Sequence, residues 1–494
     1  MELLLLLIVL GTITYLIVKR SVATITRTPI WVFWLVMMAP ALIWSGWWLI
    51  FGQDEPIPIL LVIAPFIFCL LVYWWLIQIG RPTSQAKETA LETQGSGDPG
   101  MEKPTQGSSQ VRPITPSEEA TLRNCFPWSI YYLQNIDYRP QAILCRGKLR
   151  SVPEVAYKTI KENIEKAFGD RFLLVFQESF QGQPFFALVP NPWAKSQDRS
   201  EPEKLARPVF ALSLLLITLL TTTMVGARMS GLPAGEVFSS PQGFFRGLPY
   251  SLGIIAILGV HELSHYFTAI YYKIRTTLPY FIPFPDFLGT FGAFIQMRSP
   301  VPHRKALFDV AIAGPLGGLV LTVPLLIWGL SLSKIVPIAE DSSLLSFQSL
   351  DPRFSFLFAV FGKLALGNQL VPGTAIHLHP LAIAGYVGLI VTALNLMPVG
   401  QLDGGHIVHA MYGQRTAAII GQLTRLFVLV LAFIRHDFLL WAIILFFMPV
   451  IDQPALNDVT ELDNKRDFLG LLSLFLLICI LLPLPGMVAA WLNI

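Results

Sequence analysis

Two histidines and a glutamate in the run Gly259-Val-His-Glu-Leu-Ser-His265 have the residue types and spacing of a zinc hydrolase site. His261 and His265 are four positions apart, so on a helix both imidazoles lie on one face and can bind a single metal ion. Glu262 can reach a water molecule beside that ion as a general base. A structural alternative is that these polar groups only hydrogen-bond neighbouring helices, but that role does not require this spacing. The pattern predicts a helical zinc site.

A catalytic zinc usually has three protein ligands, and two histidines with one carboxylate is a known set. Asp403 is the candidate third ligand, in the run Asn395-Leu-Met-Pro-Val-Gly-Gln-Leu-Asp-Gly-Gly405. The proline and the glycines should end a helix at membrane depth, where irregular backbone is tolerated only when it is buried or lines a wet cavity. We therefore expect Asp403 to face such a cavity. The alternative is a capping aspartate in a glycine-rich turn.

Other histidines could compete with Asp403 for the third position. His406 and His409 follow it at helical spacing, and we interpret them as interfacial histidines of a helix N-terminal turn, because three ligands are already assigned. His377 and His379 should lie at the opposite end of their span. His303 and His436 are interpreted as loop residues.

The composition places the chain among membrane proteins. Of its 494 residues 53% are hydrophobic and only 14% charged, against about 25% charged in an average soluble protein. The net charge of +3 comes from scattered basic residues, which does not favour nucleic-acid binding. Four cysteines without paired spacing predict no disulfide framework.

Apolar stretches near the length of about 20 residues that a bilayer requires predict an all-α polytopic membrane protein with eight to ten transmembrane helices. The stretch 417–449 should contain two shorter spans that are broken at Arg435-His436-Asp437, and 354–366 is too short to assign. The remaining candidates are 3–18, 30–51, 57–79, 208–227, 248–272, 306–330, 376–397 and 467–492.

Basic residues in short loops favour the cytoplasmic side. Lys19 and Arg20 therefore put the first loop inside, and alternating crossings put Lys465-Arg466 inside as well. In this scheme the helix of His261 and the turn of Asp403 both end near the cytoplasmic face. One metal ion could thus bind both.

Changes in composition along the chain predict its domains. A small soluble α+β domain should contain a strand at 142–145, strands at 172–176 and 185–189 around Gly182, and a helix that starts at a capping box, Ser151-Val-Pro-Glu154. The predicted boundaries are 1–80 for N-terminal transmembrane helices, 81–117 for a disordered linker, 118–205 for the soluble domain, 206–466 for a membrane-embedded core with both motifs and 467–494 for a C-terminal transmembrane helix.

The segment 278–297 contains three prolines and two glycines that preclude a plain helix, and 293–297 is typical of a short strand. A strand edge at membrane depth could pair with an unwound substrate. Gly292, within this segment, is a candidate substrate contact.

The two motifs together resemble the paired signature of the site-2 protease family, the intramembrane zinc metalloproteases of peptidase family M50, whose pattern is HExxH on one helix and NxxPxxxLDG on another. The resemblance covers about residues 205–465. With Asp452-Gln-Pro-Ala-Leu-Asn-Asp458 and the preceding soluble domain, it extends to the cyanobacterial and plastid class named for ethylene-dependent, gravitropism-deficient, yellow-green plants.

This resemblance implies Zn²⁺ ligands at His261, His265 and Asp403, a catalytic base at Glu262 and a substrate or oxyanion contact at Asn395. It also implies a re-entrant β segment at 278–297, membrane-protein substrates, and a cyanobacterial plasma or thylakoid membrane. Many bacterial relatives carry a PDZ domain between the two motifs, but about forty residues, 331 to 375, are too few for one here. The expected function is hydrolysis of peptide bonds in or near transmembrane segments. The alternatives are a membrane metal-ion transporter and an inactive protease-like scaffold.

Overall fold

The computed structural model describes most of the chain from residue 114 onward and less of it before. Within 11–76 it describes 29–52 and a few single positions. The later ranges are 114–192 without 140, 141, 180 and 181, then 194, 207–232, and 241–494 without 287, 339–345, 450 and 451. The chain divides into two compact units, Met1–Gly107 and Ser108–Ile494, and each is described by itself.

The described part of the first unit is dominated by one apolar helix, α1 (Ile30–Phe51), which carries Pro40 inside it and no charged residue in its end turns. It corresponds to the span predicted at 30–51. The predicted spans 3–18 and 57–79 lie almost entirely outside the described residues.

The second unit begins with a small α+β domain. Its four-stranded antiparallel sheet has the strand order β1-β2-β4-β3, so β1 and β3 are the edges. The face of α3 formed by Ala156, Ile160 and Ile164 is buried against the sheet, as its helical spacing predicts. The elements are α2 (Pro116–Asn124), β1 (Tyr131–Arg139), β2 (Ala142–Leu149), α3 (Pro153–Phe168), β3 (Phe172–Glu178) and β4 (Pro184–Pro190).

One local prediction in this domain was wrong. Ser151 does not form a capping box: α3 starts at Pro153, the N-cap is Val152, and no side chain caps the helix. Proline is favourable at the first helical position, so the helix begins at Pro153. Ser151 then lies one residue upstream of the N-cap position. The capping box is instead on α2, between Thr115 and Glu118, so regular structure begins inside the predicted linker 81–117.

Three long helices and a hairpin form the first half of the membrane-embedded core. Helix α5 packs against both α4 and α6, and the hairpin lies beside α4. Strand β6 ends at Phe294, so the strand predicted at 293–297 was placed about three residues too late, and its antiparallel partner β5 was not predicted. The elements are α4 (Pro208–Met229), α5 (Pro241–Tyr271), β5 (Tyr280–Pro283), β6 (Thr290–Phe294) and α6 (Arg304–Ser331).

The second half of the core begins with strand β7 (Lys334–Pro337), followed by helix α7 (Phe356–Leu366) and strand β8 (Thr374–His377). The two strands pair antiparallel. The span predicted at 376–397 is shorter than expected. Its first residues belong to β8 (Thr374–His377), and helix α8 (Pro380–Leu396) starts at a proline, with the His379 side chain accepting a hydrogen bond from the Leu381 N–H.

The C-terminal helices are interrupted. The break predicted at Arg435-His436-Asp437 is present between two of them. The predicted C-terminal span 467–492 is not one straight helix, because two helices there meet at 77° across Leu482-Pro-Leu-Pro485, where each proline removes a backbone donor. The elements are α9 (Asp403–Tyr412), α10 (Gln414–Ile434), α11 (Leu439–Phe447), α12 (Asn464–Leu481) and α13 (Gly486–Leu492).

Within the described residues, five helices are long and apolar enough to cross a membrane, namely α1, α4, α5, α6 and α10. The bent pair α12–α13 makes a sixth if it is counted as one span, and α8 is a shorter apolar helix. The chain is therefore mostly helical, with small sheets, and its apolar helices fit a membrane protein.

Candidate active site

Helix α5 carries the HExxH motif on a buried face. His261, Glu262 and His265 have only 4%, 7% and 7% of their surface exposed. The two imidazoles point to the same place, with their Nε2 atoms 3.2 Å apart. This is the arrangement that the four-residue spacing predicts on a helix.

Asp403 reaches the same point from the other end of the core. Its Oδ2 atom lies 3.4 Å from Nε2 of His261 and 3.3 Å from Nε2 of His265. Asp403 is the first residue of α9, and the N-cap is Leu402 without a side-chain bond. Asp403 therefore faces the histidines and is not the capping residue of its helix.

The turn between α8 and α9 is tight enough to require glycine. Gly400 has a positive φ of 54°, and a Cβ atom there would lie 1.9 Å from the Pro449 carbonyl oxygen. A Cβ on Gly404 would lie 2.0 Å from the Leu396 carbonyl oxygen. These close approaches bring the start of α9 back toward the end of α8 and so set the position of Asp403.

Helix α6 packs against His261 and His265 and fixes their rings, a role that was not predicted from the sequence. The ring of His265 places Nδ1 2.7 Å from the Val310 carbonyl oxygen, which accepts the Nδ1–H and leaves the Nε2 lone pair for the cavity. Gly314 and Gly318 lie against the two imidazoles, and a Cβ on Gly314 would be 2.0 Å from Nε2 of His265. The signal was the spacing Gly314-xxx-Gly318, which is typical of close helix packing in membranes.

A cavity of about 250 Å³ opens onto this group. Glu262 and Asn395 line it with the two histidines and Asp403. The Nδ2 atom of Asn395 is 3.2 Å from Nε2 of His261, and Ile295, which follows β6, also lines the cavity. The sequence candidates on α5, α8 and α9 are thus brought together in one cavity.

Gly292 lies on β6 next to the cavity, whose wall is formed by the following residues Ala293, Phe294 and Ile295. Its φ of 107° is in the region that glycine favours, and its N–H donates to Oγ1 of Thr290. Gly292 therefore shapes the hairpin and does not itself line the cavity.

The rival histidines have partners other than the group of His261, His265 and Asp403. His406 lines the cavity, but its Nδ1 is 2.8 Å from Oδ2 of Asp452. His409 is fully buried, not interfacial, and lies between Asp452 and Asp458. His379 is the N-cap of α8, at the opposite end of that helix from Asn395.

The chemistry of the converging atoms fits a zinc ion. Because the proton of His265 is on Nδ1, its Nε2 atom carries a lone pair. This atom, Nε2 of His261 and Oδ2 of Asp403 are all electron-rich and converge on one point. The edges of a tetrahedral zinc site with bonds of about 2.0–2.1 Å are roughly 3.3 Å long, which matches the separations of 3.2–3.4 Å. Among the described residues, these three form the one group of such ligands.

Several known proteins are similar to this chain over most of its length. Residues 249–434 match Peptidase family M50. The chain is 30% identical over 390 residues to "Probable zinc metalloprotease EGY2, chloroplastic" of Arabidopsis thaliana, covering 78% of this chain and 68% of the relative. EGY2 of Oryza sativa subsp. indica is 29% identical, with 82% and 73% covered, and EGY1 of Arabidopsis thaliana is 30% identical, with 69% and 66% covered. No solved structure gives a significant match.

Proposed function

The chain belongs to peptidase family M50, the site-2 protease family, and from this we propose that it is an intramembrane zinc metalloprotease that hydrolyses peptide bonds in or near transmembrane segments of membrane proteins. One observation carries the proposal. Side chains of α5 and α9, far apart in sequence, bring two imidazole nitrogens and a carboxylate oxygen within 3.4 Å of one another.

His261, His265 and Asp403 would hold the zinc ion. Bound there, zinc supplies Lewis-acid polarisation of a water molecule and of the scissile carbonyl. The Val310 carbonyl fixes the His265 ring so that Nε2 carries the lone pair, and α6 packs the imidazoles in place.

Glu262 is the proposed general base. Its carboxylate lines the cavity on the same helix as the histidines, takes a proton from the attacking water and passes it to the leaving amide nitrogen. Asn395 lines the cavity beside His261, and its Nδ2–H donates to the oxyanion that forms on the attacked carbonyl.

A substrate helix must unwind before it is cut, because its amides are bonded internally. We propose that the β5–β6 hairpin is a re-entrant segment that receives the unwound strand, with Gly292 as a substrate contact because the space beside its Cα is open. Residues 293–295 line the cavity, and the side chains of Phe291 and Phe294 are exposed, which supports a substrate path along this strand.

The membrane arrangement follows from the sequence. We propose eight to ten crossings, an active site toward the cytoplasmic face, and a cyanobacterial plasma or thylakoid membrane. The similar proteins EGY2 and EGY1 are named as chloroplastic, which is compatible with a photosynthetic membrane system. We retain the domain boundaries 1–80, 81–117, 118–205, 206–466 and 467–494 as part of this proposal.

The test is a proteomic comparison of membranes that carry the wild-type protein or Glu262→Gln. Glu262→Gln keeps all three proposed ligands, so it should retain zinc while its substrates accumulate uncut. A matched control is Glu165→Gln, on the exposed surface of the soluble domain, which should cut at the wild-type rate.

Two other functions predict different results. A metal-ion transporter would show altered zinc flux in Glu262→Gln and no shortened polypeptide in the wild type. An inactive scaffold would show no difference between the two proteomes. Either result would reject the protease.

A further inference from the structure

Residues 452–459, which we call the bridging segment, have no role in the mechanism above. Most of the polar side chains of this segment are nevertheless buried. Asp452, Asn457 and Asp458 have at most 8% of their surface exposed. Buried carboxylates are costly unless they are paired. Their partners therefore indicate what the segment does.

On one side the bridging segment extends the sheet of the soluble domain. Strand β3 is an edge strand, and its Phe176 N–H donates to the Leu456 carbonyl at 2.7 Å. The Asp458 N–H donates to the Phe176 carbonyl at 2.9 Å. The Val459 side chain packs into the soluble core. The edge of the sheet is thus covered by this segment.

On its other side the same segment pairs with the residues that lead into α6. The Leu456 N–H donates to the Val301 carbonyl at 2.9 Å, and the Asn457 N–H donates to the Pro302 carbonyl at 3.1 Å. Asn457 forms parallel bridges with both Phe176 and His303. The segment therefore lies between the soluble domain and the protease core and is bonded to both at Leu456 and Asn457.

The carboxylates of the bridging segment hold α9, the helix that starts at Asp403. His409 on α9 places Nδ1 2.7 Å from Oδ2 of Asp452 and Nε2 3.1 Å from Oδ2 of Asp458. Next to it, Nε of Arg304 donates to the Ala410 carbonyl at 2.8 Å. Both ring nitrogens of His409 are therefore engaged, one with each aspartate.

The charge on His409 strengthens this attachment. Burial by itself lowers the pKa of His409, but the hydrogen bonds and charges of Asp452 and Asp458 outweigh burial and raise the pKa to about 9. The ring is thus a cation at neutral pH, and both contacts are charge-assisted.

We propose that His409 is a positioning residue for the metal site: through Asp452 and Asp458 it fixes α9 to the bridging segment, so that the soluble domain holds Asp403 in place against His261 and His265. This rests on the proposed zinc site, since its effect is on a zinc ligand. It also gives the soluble domain a role, because docking of β3 sets the position of α9.

The test measures zinc affinity of the purified full chain by chelator competition, which does not depend on proteolysis. We expect His409→Ala and Asp452→Asn to weaken zinc binding about tenfold, as is typical when groups behind a metal ligand are removed. Tyr412→Ala, on the exposed side of the same helix, should stay within twofold of wild type. Excess zinc should restore part of the proteolysis of His409→Ala, which a misfolded protein would not show.

Wild-type zinc affinity in His409→Ala would overturn the proposal. If His409→Ala does not fold, Asp452→Asn and Asp458→Asn preserve side-chain volume, and wild-type affinity in both would overturn it equally. Asp403→Ala is measured in the same series. If Asp403→Ala keeps its zinc, the proposed function fails and not only this inference.

The attachment of the bridging segment to the protease core is tested at Leu456. Leu456→Pro removes the N–H that donates to Val301, whereas Leu456→Ala keeps it and serves as the control. Leu456→Pro should weaken zinc binding several-fold relative to Leu456→Ala. Cys145, fully buried and with its pKa raised to about 12 by burial, should resist alkylation in both variants if the soluble domain stays folded. Equal zinc affinities with a protected Cys145 would disprove the link.

Discussion

At the scale of residues, the active site depends on small groups as much as on ligands. His265 can present Nε2 to the cavity because the Val310 carbonyl holds Nδ1 and because Gly314 has no side chain. Gly400 and Gly404 likewise have no side chain, which permits the tight α8–α9 turn that positions Asp403. A functional site in a close-packed interior is therefore sensitive to a single added methyl group.

Gly314→Ala tests this dependence. The new Cβ would lie 2.0 Å from Nε2 of His265, so the ring must rotate and lose the hydrogen bond to Val310. Zinc affinity should fall by about 10–100-fold, the usual effect of losing support behind a ligand, and proteolysis should fall with it. Val320→Ala on the exposed side of α6 is the control. Zinc binding by Gly314→Ala equal to the control would contradict the role of the glycine.

At the scale of elements, irregular segments at the ends of apolar helices form the cavity. The sequence predicted α5, the break after α8 and a non-helical segment near 278–297, because each has a strong local signal in its periodicity, prolines or glycines. It did not predict β5 or β8, since four-residue strands depend on a partner strand that is distant or unrecognised. The hairpin matters because Ala293 and Phe294 line the cavity together with Glu262, and an unwound substrate would lie beside it.

Cleavage should therefore depend on how easily the substrate helix unwinds. In a substrate identified by the Glu262→Gln comparison, each Ala→Gly change next to the cut should raise the cleavage rate about fivefold, because glycine is about 1 kcal/mol less favourable in a helix. The same change two helical turns away is the control. Equal rates for both positions would show that unwinding at the cut does not limit the reaction.

At the scale of the whole molecule, the bridging segment joins the sheet of the soluble domain to the protease core. The ligand candidates could be predicted because residue type and spacing define them. The contacts of His409, Asp452 and Asp458 could not, since they connect α9 to a loop more than forty positions later and no local pattern specifies a buried ion pair. For the same reason no local pattern predicts that the bridging segment bonds to the edge strand β3.

The central claim is that segments on α5 and α9 bind one metal ion, and zinc analysis tests it directly. The purified wild-type protein should contain one zinc per chain, with an X-ray absorption spectrum that fits two imidazole nitrogens and a carboxylate oxygen. Asp403→Ala should lose most of the zinc after dialysis against a chelator, while Asp170→Ala, an exposed acid of the soluble domain, should retain it. Full zinc occupancy with unchanged affinity in Asp403→Ala would contradict the account.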